Sequence, residues 1–476
     1  MLLKHSASYF LACGLSGIVN LLAIPILTRL VSPEAYGEYA LVVAGVGLFN
    51  VVLFRWLSLG LLRYLPAYKE DQDVFLSTIF VGFMVLVGLT GLSTAIALPL
   101  LADPLHRWLV VIGLLLLWGS AFFELNKELV RCRFSPSRYG CLTLVKAIIA
   151  LGVGGGFAYF GYGANGLLYG LLLAFVLPGV WQMWRDWRTV RVRLASSALF
   201  YQLLFYGLPL TATFALKFIV TSSDRFLLGY LLRTEAIGLY SVSYDLASHS
   251  LGMFMMVVNL AAYPLAVRAL EQKGRDAASQ QLSQNIILLL GISLPAAAGF
   301  ALLAPNIAEV FLGPSYREAA MGLIPWVTLG AFLSGIKSFH FDLSFQLGSY
   351  TMGQVWVALV AAVANVVLNF CWIPVFGFMG AAYATVAAYA VGILLSIVVG
   401  RRIFVLPWPG REIFKLALAT IGMVLALLPM EYLRGSWQLA AQVGWGALIF
   451  GTLLWLLNVG DARRHLSQII QRTQGS

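Results

Sequence analysis

Charged side chains are scarce in this sequence, and their scarcity excludes the commonest class of protein. Asp, Glu, Lys and Arg make up 11% of the 476 residues, whereas 60% are hydrophobic. An ordinary soluble domain is charged at about a quarter of its positions, so we do not expect one here. A helix crosses the bilayer core with roughly 20 apolar residues, and about fourteen stretches of that kind can be marked. Their approximate positions are 8–30, 36–58, 75–101, 107–125, 139–160, 165–184, 199–222, 237–265, 283–304, 319–340, 352–373, 379–400, 412–430 and 437–458.

Motifs of enzymes and of metal or cofactor sites are also missing. The sequence has no Gly-x-x-x-x-Gly-Lys-Ser/Thr loop for ATP phosphates, no His-Glu-x-x-His and no Gly-x-Ser-x-Gly. The four cysteines form no Cys-x-x-Cys pair, and the five histidines show no metal-ligand spacing. The loops between apolar stretches are too short for a catalytic domain. We therefore predict that the chain is not an enzyme and has no catalytic residue, metal or cofactor.

The formal net charge is +11, which would suit a nucleic-acid partner. In a membrane protein, however, such a charge has a simpler explanation. Basic residues are retained in loops on the cytoplasmic side. With the N-terminus inside and fourteen alternating spans, inner segments contain 20 of the 31 Lys and Arg residues, outer segments 6 and the spans 5. This asymmetry predicts a multi-pass protein with both termini cytoplasmic and no nucleic-acid partner. The first stretch is too long for a signal-peptide core, so we expect it to be retained as a membrane helix.

Two short patterns recur in the same order and predict an internal duplication. Glu34-Ala-Tyr-Gly-Glu-Tyr39 returns 201 positions later as Glu235-Ala-Ile-Gly-Leu-Tyr240. Phe160-Gly161, followed by Gly166-x-x-Tyr169, returns 214 to 216 positions later as Phe376-Gly377, followed by Gly380-x-x-Tyr383. Both copies of the first pattern and both Phe-Gly copies are expected in outer loops, with Gly377 and Gly380 in one tight outer loop. The repeat would be six helices long, as in transporters built from two equivalent halves. We predict an all-α fold with an N-terminal lobe at 1–190, a C-terminal lobe at 191–405, and two extra helices with a cytoplasmic tail at 406–476.

The segment between the predicted lobes is basic and rich in tryptophan. It runs from Arg185 to Arg193 and is flanked by Trp181, Trp184 and Trp187. Tryptophan with arginine is typical of the membrane–water interface. We expect this linker at the cytoplasmic surface of the membrane.

Basic residues inside apolar stretches are the candidates for function. A basic side chain at mid-bilayer costs at least ~2.5–3.5 kcal/mol on insertion scales, so it normally faces a bundle interior or a watery cavity. The spans contain Arg55, Lys146, Lys217, Lys337 and Lys415. The acidic candidates are Glu124, Asp245 and Asp342. The surplus of bases predicts a positive cavity for an anionic ligand, and internal ion pairing is the alternative.

The predicted cationic cavity and route comprise Arg29, Arg55, Arg63, Lys146, Lys217, Arg225 and Lys337. Lys415 lies close to an inner helix end and is expected to reach the surface, and Lys337 could do the same. Asp224 and Arg225 could instead cap and anchor a helix end. Asp245 and His249 are four residues apart and share one helical face. They could couple transport to an ion, or they could form a satisfied polar patch.

The segment from Asn365 to Tyr389 resembles a known family. It reads Asn365-x-x-x-Asn369, then Ile373-Pro-x-x-Gly377-x-x-Gly380-Ala-Ala-x-Ala-Thr385, which is similar to the polysaccharide transporters, the Wzx-type oligosaccharide flippases of the multidrug/oligosaccharidyl-lipid/polysaccharide exporter superfamily. Weaker similarities are Leu27-Thr-Arg29-Leu, Pro33–Tyr39, Leu62-Arg-Tyr64 and Asp224-Arg-Phe-Leu-Leu-Gly229.

This resemblance implies two six-helix lobes in a V around a cationic central cavity. It implies movement of a polyprenyl-pyrophosphate-linked oligosaccharide from the cytoplasmic to the periplasmic leaflet of a bacterial cytoplasmic (inner) membrane. The implied partners are the lipid-linked oligosaccharide, membrane lipid and the polysaccharide polymerase machinery.

Three alternatives remain open. A multidrug antiporter of the same superfamily would favour buried acids, whereas this chain has more buried bases. A peptidoglycan-precursor flippase is also cationic with fourteen helices, although the Asn365 segment fits it less well. A membrane polysaccharide polymerase or ligase would need a sizeable outer loop.

Overall fold

Helices make up nearly all of the chain. The computed structural model describes the backbone of residues 2–68 and 70–461, and the side chains of 14–460 except 69, 105 and 261. No β-strand occurs in this described part, and the all-α prediction is confirmed. The helices are α1 (Leu2–Leu30), α2 (Pro33–Phe49), α3 (Arg55–Tyr64), α4 (Gln72–Ala97), α5 (Pro104–Cys132), α6 (Pro136–Tyr159), α7 (Gly163–Asp186), α8 (Ser197–Leu231), α9 (Thr234–Leu302), α10 (Ala304–Phe311), α11 (Pro314–Ile336), α12 (Leu343–Leu347), α13 (Thr351–Phe376), α14 (Phe378–Gly400), α15 (Gly410–Leu427) and α16 (Ser436–Leu456).

The helices are long and apolar enough to cross a membrane. Twelve candidate spans lie within the described residues, with mean hydropathy between 1.6 and 2.2, and Gly14–Leu30 is a shorter apolar helix. One candidate is α9, whose 69 residues are interrupted at Gly274, with φ 83°. Counting α9 as two spans and including Gly14–Leu30 gives the predicted total of about fourteen. The predicted tail after residue 461 lies outside the described residues.

Two of the spans contain a π-helical turn. Residues Asn50–Phe54 join α2 to α3, and residues Lys337–Phe341 join α11 to α12. A π-turn adds one residue to a helical turn and recurs at functional sites. Each π-turn lies at a basic residue of the predicted cavity, since Arg55 follows the first and Lys337 begins the second.

The chain divides into two compact units, residues 1–241 and 242–476, which we call unit 1 and unit 2. The core of unit 1 includes the fully buried Leu57, Leu61, Phe75 and Ile79. The core of unit 2 includes Met255, Ile286, Leu416 and Ala419. The lobes predicted at 1–190 and 191–405 stay a prediction.

The first repeated pattern forms helix beginnings, which corrects the expectation of outer loops. Glu34 and Glu235 lie in the first turns of α2 and α9, where a carboxylate favours the positive end of the helix dipole. Ser32 caps α2 by accepting a hydrogen bond from the amide of Ala35 at 3.3 Å. Pro33 begins α2 because proline fits the first helical turn.

The two copies of this pattern contact each other within unit 1. A Cβ on Gly37 would overlap the carbonyl oxygen of Thr234, and a Cβ on Gly238 would overlap that of Pro33. Each added Cβ would also lie 3.1 Å from the amide nitrogen of the other glycine. Pro33 and Thr234 are separated by the same 201 positions as the glycines. The contact is therefore reciprocal, as expected for elements related by a two-fold axis.

The second repeated pattern forms equivalent helical hairpins. Gly161 (φ 87°) and Gly377 (φ 61°) make the turns α6–α7 and α13–α14, in a conformation that favours glycine. Gly166 and Gly380 lie in the helices that follow, and for Gly380 this corrects the expectation of a tight loop. There each packs against the end of the preceding helix, at Phe157 and Trp372 respectively. Superposition of the two halves stays a prediction.

Candidate functional site

A charged face on α5 is the centre of the candidate site. Glu124, Lys127, Glu128 and Arg131 follow one another at helical spacing, so their side chains lie on one face. Lys127 donates to Glu124 at 2.6 Å, and Arg131 donates to Glu128 at 3.4 Å. Glu124 lies eight residues, or about 12 Å, before the end of α5. The charged face therefore extends well into the span.

Arg55 of α3 lies against this face. Its Nη1 atom is 3.8 Å from a carboxylate oxygen of Glu124 and 3.8 Å from one of Glu128. Its guanidinium carbon lies 5.0 Å from the ring centroid of Phe214, a favourable cation–π distance. The preceding π-turn is joined to α5 by Asn50, whose amide donates to Ser120 at 3.1 Å. Arg55 is thus positioned by a π-turn, a ring and two carboxylates that each lie 3.8 Å from its Nη1 atom.

Lys146 of α6 completes the group. Its Nζ lies 5.0 Å from the ring centroid of Phe175, and it is within electrostatic reach of Glu124 and Lys127. We call Arg55, Glu124, Lys127, Glu128, Arg131 and Lys146 the α5 charge cluster. Its four cations and two carboxylates leave an excess of positive charge inside unit 1. Such an excess attracts an anion, because two cations have no acidic counterpart within the cluster.

Lys337 has a different environment in unit 2. It is 8% exposed, and its Nζ donates to both carboxylate oxygens of Asp342 at 3.0 and 2.8 Å. Ser396 donates to the same carboxylate at 2.8 Å. This is the internal ion pairing left open as the alternative, and it neutralises the lysine. The pair favours a structural role for Lys337, and its role in the cationic cavity stays a prediction.

The remaining predicted basic residues of the route lie in unit 1. Arg29 is exposed at the end of α1 and donates to the carbonyl of Pro25 at 2.7 Å. Arg63 is exposed in the last turn of α3, and Lys217 is exposed on α8. Arg225, half-buried, donates to Ser241 at 3.0 Å. These four residues thus lie at the ends of α1 and α3 and along α8.

The end of α8 is anchored to the start of α9 by two adjacent residues. Arg225 bonds Ser241, and the buried carboxylate of Asp224 accepts a hydrogen bond from Tyr240 at 2.5 Å. Tyr240 ends the repeated pattern on α9. These bonds support the anchoring role considered for Asp224 and Arg225, and an accompanying role in transport remains a prediction.

The predicted coupling pair lies in the part of α9 that belongs to unit 2. Asp245 is half-buried and His249 is exposed, one turn apart. No group of three His, Cys, Asp or Glu side chains suited to a metal ion occurs among the described residues. Lys415 donates to Glu412 at 2.8 Å and to the carbonyl of Asn458, so this lysine is held at a helix end.

Lys127 and Arg131 follow the stretch marked at 107–125 and were counted among the 20 basic residues of the predicted inner segments, and Glu128 was not among the acidic candidates. The sequence signal for the charged face of α5 was the spacing of these residues, since Glu124-x-x-Lys127-Glu128-x-x-Arg131 places four charges on one helical face. The apolar stretch marked at 107–125 ended too early, whereas α5 continues to Cys132.

Known proteins are similar to this chain over most of its length. A sequence model of the family described as "Polysaccharide biosynthesis protein" matches residues 26–321. A putative O-antigen transporter of Shigella flexneri is 21% identical over 389 residues, covering 77% of this chain and 90% of that protein. The probable flippase AglR of Haloferax volcanii is 19% identical over 377 residues, covering 74% of this chain and 76% of that protein.

A solved structure shares the fold. The lipid II flippase MurJ in an inward closed conformation has a TM-score of 0.80 at 17% identity, covering 94% of this chain and 98% of that chain. The fold is thus that of a multi-pass membrane protein. Since the relatives are transporters and flippases, the prediction that the chain is not an enzyme is confirmed.

Proposed function

Because the chain belongs to the polysaccharide biosynthesis protein family, we propose that it is a flippase for a polyprenyl-pyrophosphate-linked oligosaccharide. It moves this lipid from the inner to the outer leaflet of the cytoplasmic membrane by alternating access, for the synthesis of a surface polysaccharide. The relatives named as an O-antigen transporter and a flippase support this assignment. The family resemblance of the Asn365–Tyr389 segment agrees with it. Polysaccharide polymerase machinery is the proposed partner that receives the exported lipid.

The α5 charge cluster is the observation that carries the proposal. Basic side chains are costly within a membrane span and are retained there for a function or an internal partner. Here three basic residues pair with two carboxylates, and a fourth, Lys146, is within electrostatic reach of one of them. A pyrophosphate supplies the missing negative charge, and arginine can bind it through two parallel hydrogen bonds. The lipid tail can stay in the bilayer while the polar glycan passes with the pyrophosphate.

The other residues predicted from the sequence have roles in the same transport function. Arg29, Arg63, Lys217 and Arg225 extend the route for the anionic group along unit 1. The i, i+4 pair of Asp245 and His249 is the proposed site of ion coupling. Both termini lie in the cytoplasm, in keeping with the excess of basic residues in the predicted inner segments.

A peptidoglycan-precursor flippase is the second candidate. The fold shared with the lipid II flippase at a TM-score of 0.80 favours it. The substrates of both candidate flippases would contain a pyrophosphate. The α5 charge cluster could therefore bind either substrate. The glycan distinguishes them, and complementation separates the two: one strain lacks its surface-polysaccharide flippase, and the other is depleted of its peptidoglycan-precursor flippase.

The test is restoration of surface glycan in a strain that lacks its own flippase but makes the lipid-linked donor. Wild-type protein should restore the glycan. Arg55→Ala and Lys146→Ala should reduce it strongly while the protein accumulates normally. Lys415→Ala is the matched control, because it removes a span lysine that pairs with Glu412 outside the cluster. Normal export by both cluster variants would contradict the proposal.

A further inference from the structure

Helices α6 and α7 of unit 1 form an apolar groove near the start of α6 and the end of α7. Farther along the pair, the helices approach closely, since a Cβ on Gly170 would overlap the backbone of Gly154. The groove has a volume of about 250 Å³ and is lined by Cys141, Leu142, Val145, Leu177, Pro178 and Trp181. Leu177 and Trp181 are each about half exposed, at 51% and 49%. The groove is therefore open along the surface of two membrane-length helices.

Arginines lie at one end of this groove. The guanidinium of Arg185 is 5.9 Å from the ring centroid of Trp181, which forms part of the wall. Arg138 precedes the wall residues Cys141 and Leu142 by one helical turn. Its Nη2 atom donates to the carboxylate of Asp186, beside Arg185 in sequence. The groove and the guanidinium groups thus form one continuous surface.

At this end of the groove there are more arginine side chains than carboxylates to pair with them. Arg133 and Arg138 both pair with Asp186, and Gln182 donates to the same carboxylate. The Asp186 side chain is only 4% exposed, whereas Arg133 and Arg138 are 32% and 21% exposed. The Nε atom of Arg138 is buried without a hydrogen-bond partner. Two guanidinium groups share one buried carboxylate, and Arg185 adds a third positive charge at Trp181, so positive charge remains at the mouth of the groove.

We propose that this surface binds an anionic glycerophospholipid, with one acyl chain in the groove and the phosphate at Arg138 and Arg185. An acyl chain suits the apolar wall, and a phosphate suits guanidinium groups through charge-assisted hydrogen bonds. The excess positive charge favours a lipid with net negative charge over a zwitterionic one. The site is a separate one from the α5 charge cluster and does not depend on the transported substrate. It fixes the end of α7 and the basic linker at the lipid surface.

The experiment is native mass spectrometry of the purified full-length protein with added phosphatidylglycerol or phosphatidylcholine. Wild-type protein should retain one tightly bound phosphatidylglycerol in preference to phosphatidylcholine. Arg185→Gln should bind phosphatidylglycerol about tenfold more weakly, because it loses a charge-assisted contact. Leu177→Trp should weaken binding by filling the groove. Arg188→Gln is the matched control, since Arg188 is an exposed arginine that donates to the carbonyl of Trp184 and does not line the groove.

Several outcomes would overturn the proposal. Equal weakening by Arg185→Gln and Arg188→Gln would indicate attraction to the basic linker as a whole. Undiminished binding of phosphatidylglycerol by Leu177→Trp would rule out an acyl chain in the groove. Competition by inorganic phosphate would indicate a site for a free anion. Preferential retention of an added polyprenyl phosphate would assign the groove to another lipid. Variants are compared after gel filtration, so that only folded protein is measured.

Discussion

The two π-turns in the described part of the chain place basic residues in opposite environments. In unit 1, Arg55 follows its π-turn and lies 3.8 Å from two carboxylates that also serve other cations. In unit 2, Lys337 begins its π-turn and donates hydrogen bonds to both carboxylate oxygens of Asp342. A fully satisfied buried pair has no charge left for a ligand, whereas a loosely held excess can bind one. The basic residue at the π-turn thus forms a structural ion pair in unit 2, and we propose that the one in unit 1 binds a ligand.

The largest expected effect comes from breaking the satisfied pair. Asp342→Ala would leave Lys337 buried without its partner, at a cost of about 3–5 kcal/mol. We expect poor accumulation in the membrane and a lower unfolding temperature in detergent. Replacing both residues, with Lys337→Met and Asp342→Asn, should recover most of the loss, because no unpaired charge remains and Ser396 keeps an acceptor. A single variant as stable as wild type would show that the pair is not structural.

A smaller effect is expected at the reciprocal glycine contact of unit 1. Gly37→Ala would force a Cβ into the carbonyl of Thr234, and such overpacking typically costs about 1–3 kcal/mol. Gly45→Ala on the same helix is the control, because an added Cβ there meets nothing within 4 Å. Thermal unfolding should separate the two variants. Identical unfolding temperatures would mean that the helices shift apart without cost.

The smallest effect is expected from reducing the acidic content of the α5 charge cluster. Glu124 is 30% exposed, and partly exposed ion pairs contribute at most about 1 kcal/mol. Glu124→Gln should therefore change the unfolding temperature little and should leave export intact, because all four cations remain. Complementation and thermal unfolding of the same preparation check both parts. A loss of export at normal accumulation would indicate that Glu124 has a role of its own.

The membrane fold could be predicted from the sequence because apolar runs of about 20 residues seldom occur outside membrane-spanning helices. Helix ends were harder to place. The pattern beginning at Glu34 contains polar residues and glycine, which suggested a loop, but capping by Ser32 and the proline at position 33 start the helix earlier. The first π-turn had no sequence signal, since its Asn50 bonds to Ser120, which is 70 residues away on α5.

The candidate site could be predicted only in part. Arg55 and Lys146 stood out as charges in apolar runs, and the structure brings both to α5. Lys337 stood out equally, yet its partner Asp342 is only five residues away and joins it across a π-turn. Trp187 was expected at the membrane interface with its neighbours, but it is 5% exposed and its indole donates to Asn126 at 2.7 Å. Composition alone cannot separate an interfacial tryptophan from a buried one.

Binding of a short-chain polyprenyl pyrophosphate to the purified protein tests the central claim most directly. The comparison is between wild type, the double variant Arg55→Ala with Lys146→Ala, and the control Lys415→Ala. We predict that the double variant binds at least about tenfold more weakly, since two charged contacts are lost, while the control binds like wild type. Equal affinity for all three proteins would contradict the assignment of the α5 charge cluster as the pyrophosphate site.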